Sequence, residues 1–164
     1  MTTTWSTREL RREQGDRESA RRYLLQSEEL GKQGGISENR HRWYVAMARL
    51  EEDRGDPNGA LDLLDEAERL YVRSPDPDVR PIAALRARVW IRQGRLAGAL
   101  DWVREQDLSV DDNLSYLREF EHVTLARVLI ARSGSGREDT SIQRAMMLLD
   151  RLLQAAEEGG KDRE

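Results

Sequence analysis

A pattern of glycine, four residues, alanine, three residues and an apolar side chain recurs along this chain. It appears as Gly15/Ala20/Leu24, Gly55/Ala60/Leu64 and Gly94/Ala99/Val103, at spacings of 40 and 39 residues. A second signature, Ala48-Arg49, Ala87-Arg88 and Ala126-Arg127, keeps a strict spacing of 39. Two signatures that share one period of this size specify stacked structural units, each burying its apolar face only against its neighbours. A fourth copy is imperfect: Ser133 and Gly134 take the glycine slot, and Ala145 and Leu149 follow after an insertion around SGREDTS.

Each unit reads as two helices joined by a tight turn. Ser37 is placed to cap a helix with apolar residues at Trp43, Tyr44, Met47, Ala48 and Leu50, and Gly55 ends it in the left-handed conformation that glycine adopts most easily. Asp56 then caps the next helix, with Pro57 at its first position, where a missing N–H costs nothing. That helix carries the stripe Ala60, Leu61, Leu64, Ala67, Leu70 and stops before the proline-rich SPDPDVRP. Pro81 is expected to open a third pair, ended in its first helix by Gly94. A longer helix from about Leu114 to Arg132 and a last one through Ala145, Leu149 and Leu153 complete the pattern. No stretch alternates with a period of two, so no sheet is expected. The fold class is therefore all-α, a right-handed superhelical solenoid of about four helical hairpins over 5–31, 38–72, 79–106 and 114–158, forming one repeat domain across 1–164. The small residues Ala20, Ala60 and Ala99 are expected at close helix approaches, as are Ala48, Ala87 and Ala126, with Leu24, Leu64 and Val103 filling seams.

Composition fits this economy. Charged residues make up 35% of the 164 and hydrophobic ones 38%, with finely interleaved signs that suit solvated helix faces. Apolar runs such as VWI and VLIA fall far short of the roughly 20 residues a bilayer demands, and MTTTWSTREL lacks the apolar core of a signal peptide. A cytoplasmic location is expected. The absence of cysteine excludes disulfides and thiolate chemistry. Net charge is −4, so no generally basic nucleic-acid surface is present. The N-terminal cluster Arg8, Arg11, Arg12, Arg17, Arg21, Arg22 is diluted by Glu9, Glu13, Asp16 and Glu18.

Glycine and alanine at these offsets, with Tyr44, Met47 and Ala48 upstream, resemble a degenerate tetratricopeptide (TPR) pattern whose extra residues fall in the loops VRSPDPDVRP and EQDLSVDDNLS. The run ALRARVWIRQGRLAGALDWVREQDLSVDDNLSYLREFEHVTLARVLIAR, Ala84 to Arg132, resembles the helical-repeat region of large MalT-like, LuxR-family bacterial transcriptional regulators. So does SEELGKQGGISENRHRWYVAMARLEEDRGDPNGALDLLDEAERLYV, and the likeness extends over roughly residues 8 to 158. The resemblance implies repeats that sense an inducer or protein partner, flanked in such regulators by an ATP-binding module and a helix-turn-helix. Neither flanking module has a counterpart in this sequence, which holds no G-x-x-x-x-G-K-[ST] phosphate loop. ATP hydrolysis and direct nucleic-acid binding are not carried over, and the chain reads as an excised sensor segment or a short stand-alone homologue.

In such a solenoid the first helix of each pair lines the concave side, the usual binding surface. Arg49, Arg88 and Arg127 hold the same position on three successive first helices, and stacking would set them in a ladder at roughly 10 Å intervals. Forked guanidinium bonds from a ladder could hold a carboxylate, a phosphate or an acidic peptide. Arg42, Arg92 and Glu52 stand nearby, with Trp43 and Trp90 as flat contacts. The alternative is that each arginine pairs with a neighbour and serves the solenoid alone. A secondary cluster in SYLREFEH, with Tyr116, Arg118, Glu119, Glu121 and His122, reads either as a ligand lip or as helix-start packing around Tyr116 and Phe120. His41 and His122 are the only histidines, too few for a histidine-based zinc site, and Glu51, Glu52 and Asp53 lack calcium-loop spacing, so neither metal nor cofactor is expected. Asp111 and Asp112 beside Ser109 read as capping residues, and no catalytic triad is recognisable.

These readings converge on a non-enzymatic sensor and protein-interaction module that takes a small inducer or a protein partner, with a stand-alone scaffolding adaptor as the alternative. Self-association through the terminal hairpins is also expected, by way of Trp5 and Leu10 at one end and Leu148 or Leu152 at the other.

Overall fold

The computed structural model describes residues 16–26, 40–71, 78–134 and 140–161. Expectations on Trp5, Leu10, Gly15, Ser37 and the arginines at 8, 11 and 12 lie outside the described residues. Every regular element among the described residues is helical. A helix over 16–26 (α1) precedes α2 (Arg40–Arg54), α3 (Pro57–Arg69), α4 (Ile82–Arg92) and α5 (Leu96–Glu105). One 3-10 turn, Tyr116–Arg118, leads into α6 (Glu119–Ser133), and α7 (Ser141–Lys161) follows. The chain divides into two compact units, Met1–Val72 and Arg73–Glu164.

In the first unit α2 and α3 form a hairpin whose turn follows from local chemistry. Gly55 sits at φ +84°, where a side chain would be strained, and the Asp56 carboxylate caps α3 by accepting from Gly59 N at 2.9 Å, with Pro57 next in line. Ala60 and Ala67 are completely buried, and Met47, Ala48 and Leu64 nearly so, which makes this contact close and dry. The chain of α1 is tied to α2 by Trp43, whose indole N–H donates to the Leu24 carbonyl at 2.7 Å. Ala20 departs from the expected pattern: it is exposed, unlike its counterparts Ala60 and Ala99.

The second unit builds its core from α4, α5, α6 and α7. Gly94, at φ +71°, turns α4 into α5, and α6 packs against α4, α5 and α7 at once. Because α6 is enclosed on several sides, Glu121, His122 and Thr124 are buried with Leu125, Ala126, Val128 and Leu129. The helix expected from Leu114 begins later. Ser115 is extended and its hydroxyl accepts from Leu117 N, which starts a 3-10 turn before the α-helix takes over at Glu119. Pro81 likewise precedes its helix by one residue, its carbonyl accepting from the Ala84 and Leu85 amides.

Ala99 has no exposure and lies in the core with Ala84, Ala87 and Ala126. Enlarging it to leucine is expected to overpack the α4–α5 contact and lower stability by about 1–3 kcal/mol in urea melts. Leu148 also proves fully buried, because it lies with Ser141 and Ala145 on the face of α7 turned toward the core, and Leu152 packs partly against that core. α7 instead exposes Ile142, Met146, Leu149 and Leu153, which recur at i, i+4, i+7 and i+11 and so share one stripe, with Met147 exposed beside it.

Candidate functional site

The repeated arginines come to different ends. Arg88, on α4, lays its guanidinium over the Phe120 ring of α6, 3.6 Å from the ring centroid. Its Nε donates to the Thr124 hydroxyl at 2.8 Å, and Nη2 reaches the Phe120 carbonyl at 3.5 Å. Thr124 in turn donates to the same carbonyl at 2.7 Å. Cation, ring, hydroxyl and carbonyl therefore form one clamp between neighbouring hairpins, in which a planar cation both stacks and donates. Arg127 holds the same repeat position on α6, yet it is exposed. Arg49, Arg42 and Arg92 are exposed as well, while Glu52 is half-buried.

The two tryptophans are engaged inside their own units. Trp43 makes the bond to Leu24 and meets Tyr44 edge-on at 5.0 Å. Trp90 is half-buried, packs against the core, and lies so close to Gly98 that a Cβ there would meet the indole at 3.2 Å. That glycine lets α5 pass over the ring.

SYLREFEH separates into a surface part and an internal one. Tyr116 is 76% exposed, and Glu119 is exposed too. Arg118 lies half-buried along the connection, with Nε donating to Glu121 at 3.0 Å and Nη2 to the Gln106 carbonyl at 3.2 Å. The neighbouring Glu121 carboxylate is the main reason the Arg118 guanidinium is held above its ordinary range. His122 is withdrawn from the surface altogether. Its Nδ1 lies 2.9 Å from the Arg118 carbonyl and its Nε2 3.1 Å from the Asp112 carboxylate.

Asp112 joins this network from the loop between α5 and α6. Its carboxylate accepts from Ser109 N at 3.0 Å, while the Ser109 hydroxyl accepts from Asp111 N. Arg151 reaches across from α7 to donate to the Val110 carbonyl and, at 2.8 Å, to the Asp112 carbonyl. The loop is thus pinned to two helices. Nothing in the residue pattern marks Arg151, because the contact bridges about 40 positions and obeys no helical period.

The Asp112 carboxyl is held below its ordinary value, first by the Ser109 N–H bond, against the opposing effect of burial, and then by His122. A carboxyl depressed in the folded state adds stability above its unfolded value, near 3.8, and that contribution disappears as pH falls through the lower, folded one. Asp112→Asn is therefore expected to flatten the acid limb of the stability profile below about pH 4. Urea melts at pH 2.5, 4 and 6 on both proteins would show the slopes; parallel slopes would remove Asp112 from the acid response.

No group of three or more potential ligating side chains suited to a metal ion occurs among the described residues. None of the described helices is long and apolar enough to cross a membrane. Paired helices with small residues at their crossings, stacked through an arginine clamp and carrying charged outer faces, define a helical-hairpin repeat of the protein-interaction kind. The chain matches the family described as the MalT-like TPR region over residues 4–164, and it belongs to that family. Neither the curated proteins nor the solved structures gave a match.

Proposed function

We propose that this chain is a non-enzymatic sensing and protein-interaction segment of a MalT-like, LuxR-family regulator, working in the cytoplasm, and that exposed arginines on the first helices of the hairpins take part in docking. The observation behind this reading is the contrast between Arg88 and Arg127. Arg88 grips a helix through an aromatic ring, a hydroxyl and a carbonyl. Arg127 offers the same guanidinium at the same repeat position to the outside. Its natural counterpart is an acidic group, or a helix that presents an aromatic side chain and a hydroxyl one turn apart. Arg49, Arg42 and Arg92 extend the supply of exposed cations on first helices.

Calorimetry and thermal-shift measurements with sugars, nucleotides and acidic peptides test the reading. A ligand is expected whose affinity falls at least tenfold on Arg127→Ala; equal affinity for the Arg49→Ala, Arg92→Ala and Arg127→Ala variants would remove the arginine surface.

The adaptor alternative draws support from the exposed stripe Ile142, Met146, Leu149 and Leu153, since a scaffold needs a second docking face and an apolar stripe of this kind suits a protein surface. Self-association through that stripe would make sedimentation depend on concentration. Leu149→Glu together with Leu153→Glu should abolish the dependence, and a strictly monomeric profile of the parent chain at high concentration would count against the stripe.

A further inference from the structure

Within the second unit, α5 and α7 both rest on α6 without packing extensively on each other, and a cleft of about 470 Å3 opens beside them. Two helix faces, with Leu108 and Val110 of the loop after α5, supply its apolar wall. Leu96, Leu100 and Val103 lie at i, i+4 and i+7 on α5, and Leu125, Val128 and Leu129 at i, i+3 and i+4 on α6. Leu96, Leu100 and Val103 are only half-buried, so their outer sides remain available to an occupant. Each of the three helices then adds one arginine to the lining: Arg104, Arg132 and Arg144, all exposed and so placed at the solvent edge of the apolar wall. Arg104 is paired there with Asp101. A chain of net charge −4 has thus gathered three cations around one of its apolar clefts.

We infer that this cleft is a binding site for a small amphipathic anion, a medium-chain carboxylate or a molecule of the same build, with its hydrocarbon body on Leu100, Val103 and Leu129 and its head among Arg132, Arg144 and Arg104. The volume lies in the range of about 300–1,000 Å3 usual for small-ligand clefts, which are mainly apolar with a few polar groups that set orientation. Arginine suits the head position because its planar fork meets a carboxylate with two parallel bonds and because its charge persists at any working pH. A cationic or neutral amphiphile would bury the same hydrocarbon but leave the head unmatched. The site is separate from Arg127 and does not rest on the docking surface proposed above.

Titration calorimetry on the full chain with hexanoate, octanoate and decanoate, all below micelle-forming concentrations, tests the assignment. One-to-one saturable binding is expected, tightening by up to about fourfold for each added methylene. Decanol and decylamine should bind at least tenfold more weakly than decanoate. Arg132→Gln with Arg144→Gln should weaken decanoate at least tenfold; Arg144→Gln alone, at an exposed position, should weaken it severalfold at an unchanged melting temperature. Three results would overturn the site: no saturable binding of decanoate, decanol binding as tightly as decanoate, or undiminished affinity in the arginine variants.

Discussion

His122→Ala is expected to destabilise the second unit by about 3–4 kcal/mol. Two losses combine. The ring is completely buried, so its removal leaves a cavity that the enclosing helices can only partly fill. Both ring nitrogens also lie against polar oxygens, the Arg118 carbonyl at 2.9 Å and the Asp112 carboxylate at 3.1 Å, so truncation removes these contacts as well. With alanine at this position, Asp112 keeps Ser109 N as a donor but loses its charge-assisted bond inside the protein. The α5–α6 loop would then be held to α6 mainly by Arg118, and to α7 by Arg151. Thermal melts should show the transition of this unit lowered by about 10 °C or more. A double-variant cycle with Asp112→Asn separates cavity from bond: a coupling of about 1–2 kcal/mol is expected if the carboxylate contact contributes. Coupling near zero would assign the whole loss to packing and leave the histidine a space-filling residue.

The hairpin architecture was legible because the residues that build turns and crossings act locally. Gly55 and Gly94 terminate first helices with a positive φ, Asp56 and Pro57 start a second helix, and Ala48, Ala87 and Ala126 mark close crossings at one period. Roles that depend on what a neighbour presents were not legible in the same way. Arg88 and Arg127 are indistinguishable by repeat position, yet only Arg88 has Phe120 and Thr124 before it. His122 follows the charged residues Arg118, Glu119 and Glu121 in a segment that reads either as a ligand lip or as helix-start packing, and it is buried because α6 is packed by neighbouring helices on several sides. The last helix shows a related effect. A stripe of leucines and methionines identifies an amphipathic helix, but its breadth exceeds what the core covers, so Leu148 is hidden while Leu149 remains exposed. The end of α5 carries its own exception, with Asp107 at φ +49° where the other turns use glycine.

Arg88→Ala is expected to cost about 2–3 kcal/mol, whereas Arg127→Ala should change stability by no more than about 0.5 kcal/mol. The comparison is informative because both residues stand at one position of the same repeat and follow an alanine, so helix propensity and local sequence largely cancel. What differs is the clamp. Truncating Arg88 removes the stacking on Phe120 and the donor to the buried Thr124 hydroxyl, and uncovers part of the α4–α6 seam. Arg88→Lys should recover less than half of the loss, since an ammonium keeps the charge but cannot lie flat on the ring while donating sideways from Nε. Combining Arg88→Ala with Phe120→Leu should show a coupling of about 1 kcal/mol in urea melts. Equal costs for Arg88→Ala and Arg127→Ala would mean that the arginine acts through its own helix and not through the neighbour. Unequal costs would make Arg127 a residue whose fold-stabilising role is absent in the chain itself, so that any loss of partner or ligand affinity on its substitution belongs to recognition and not to stability.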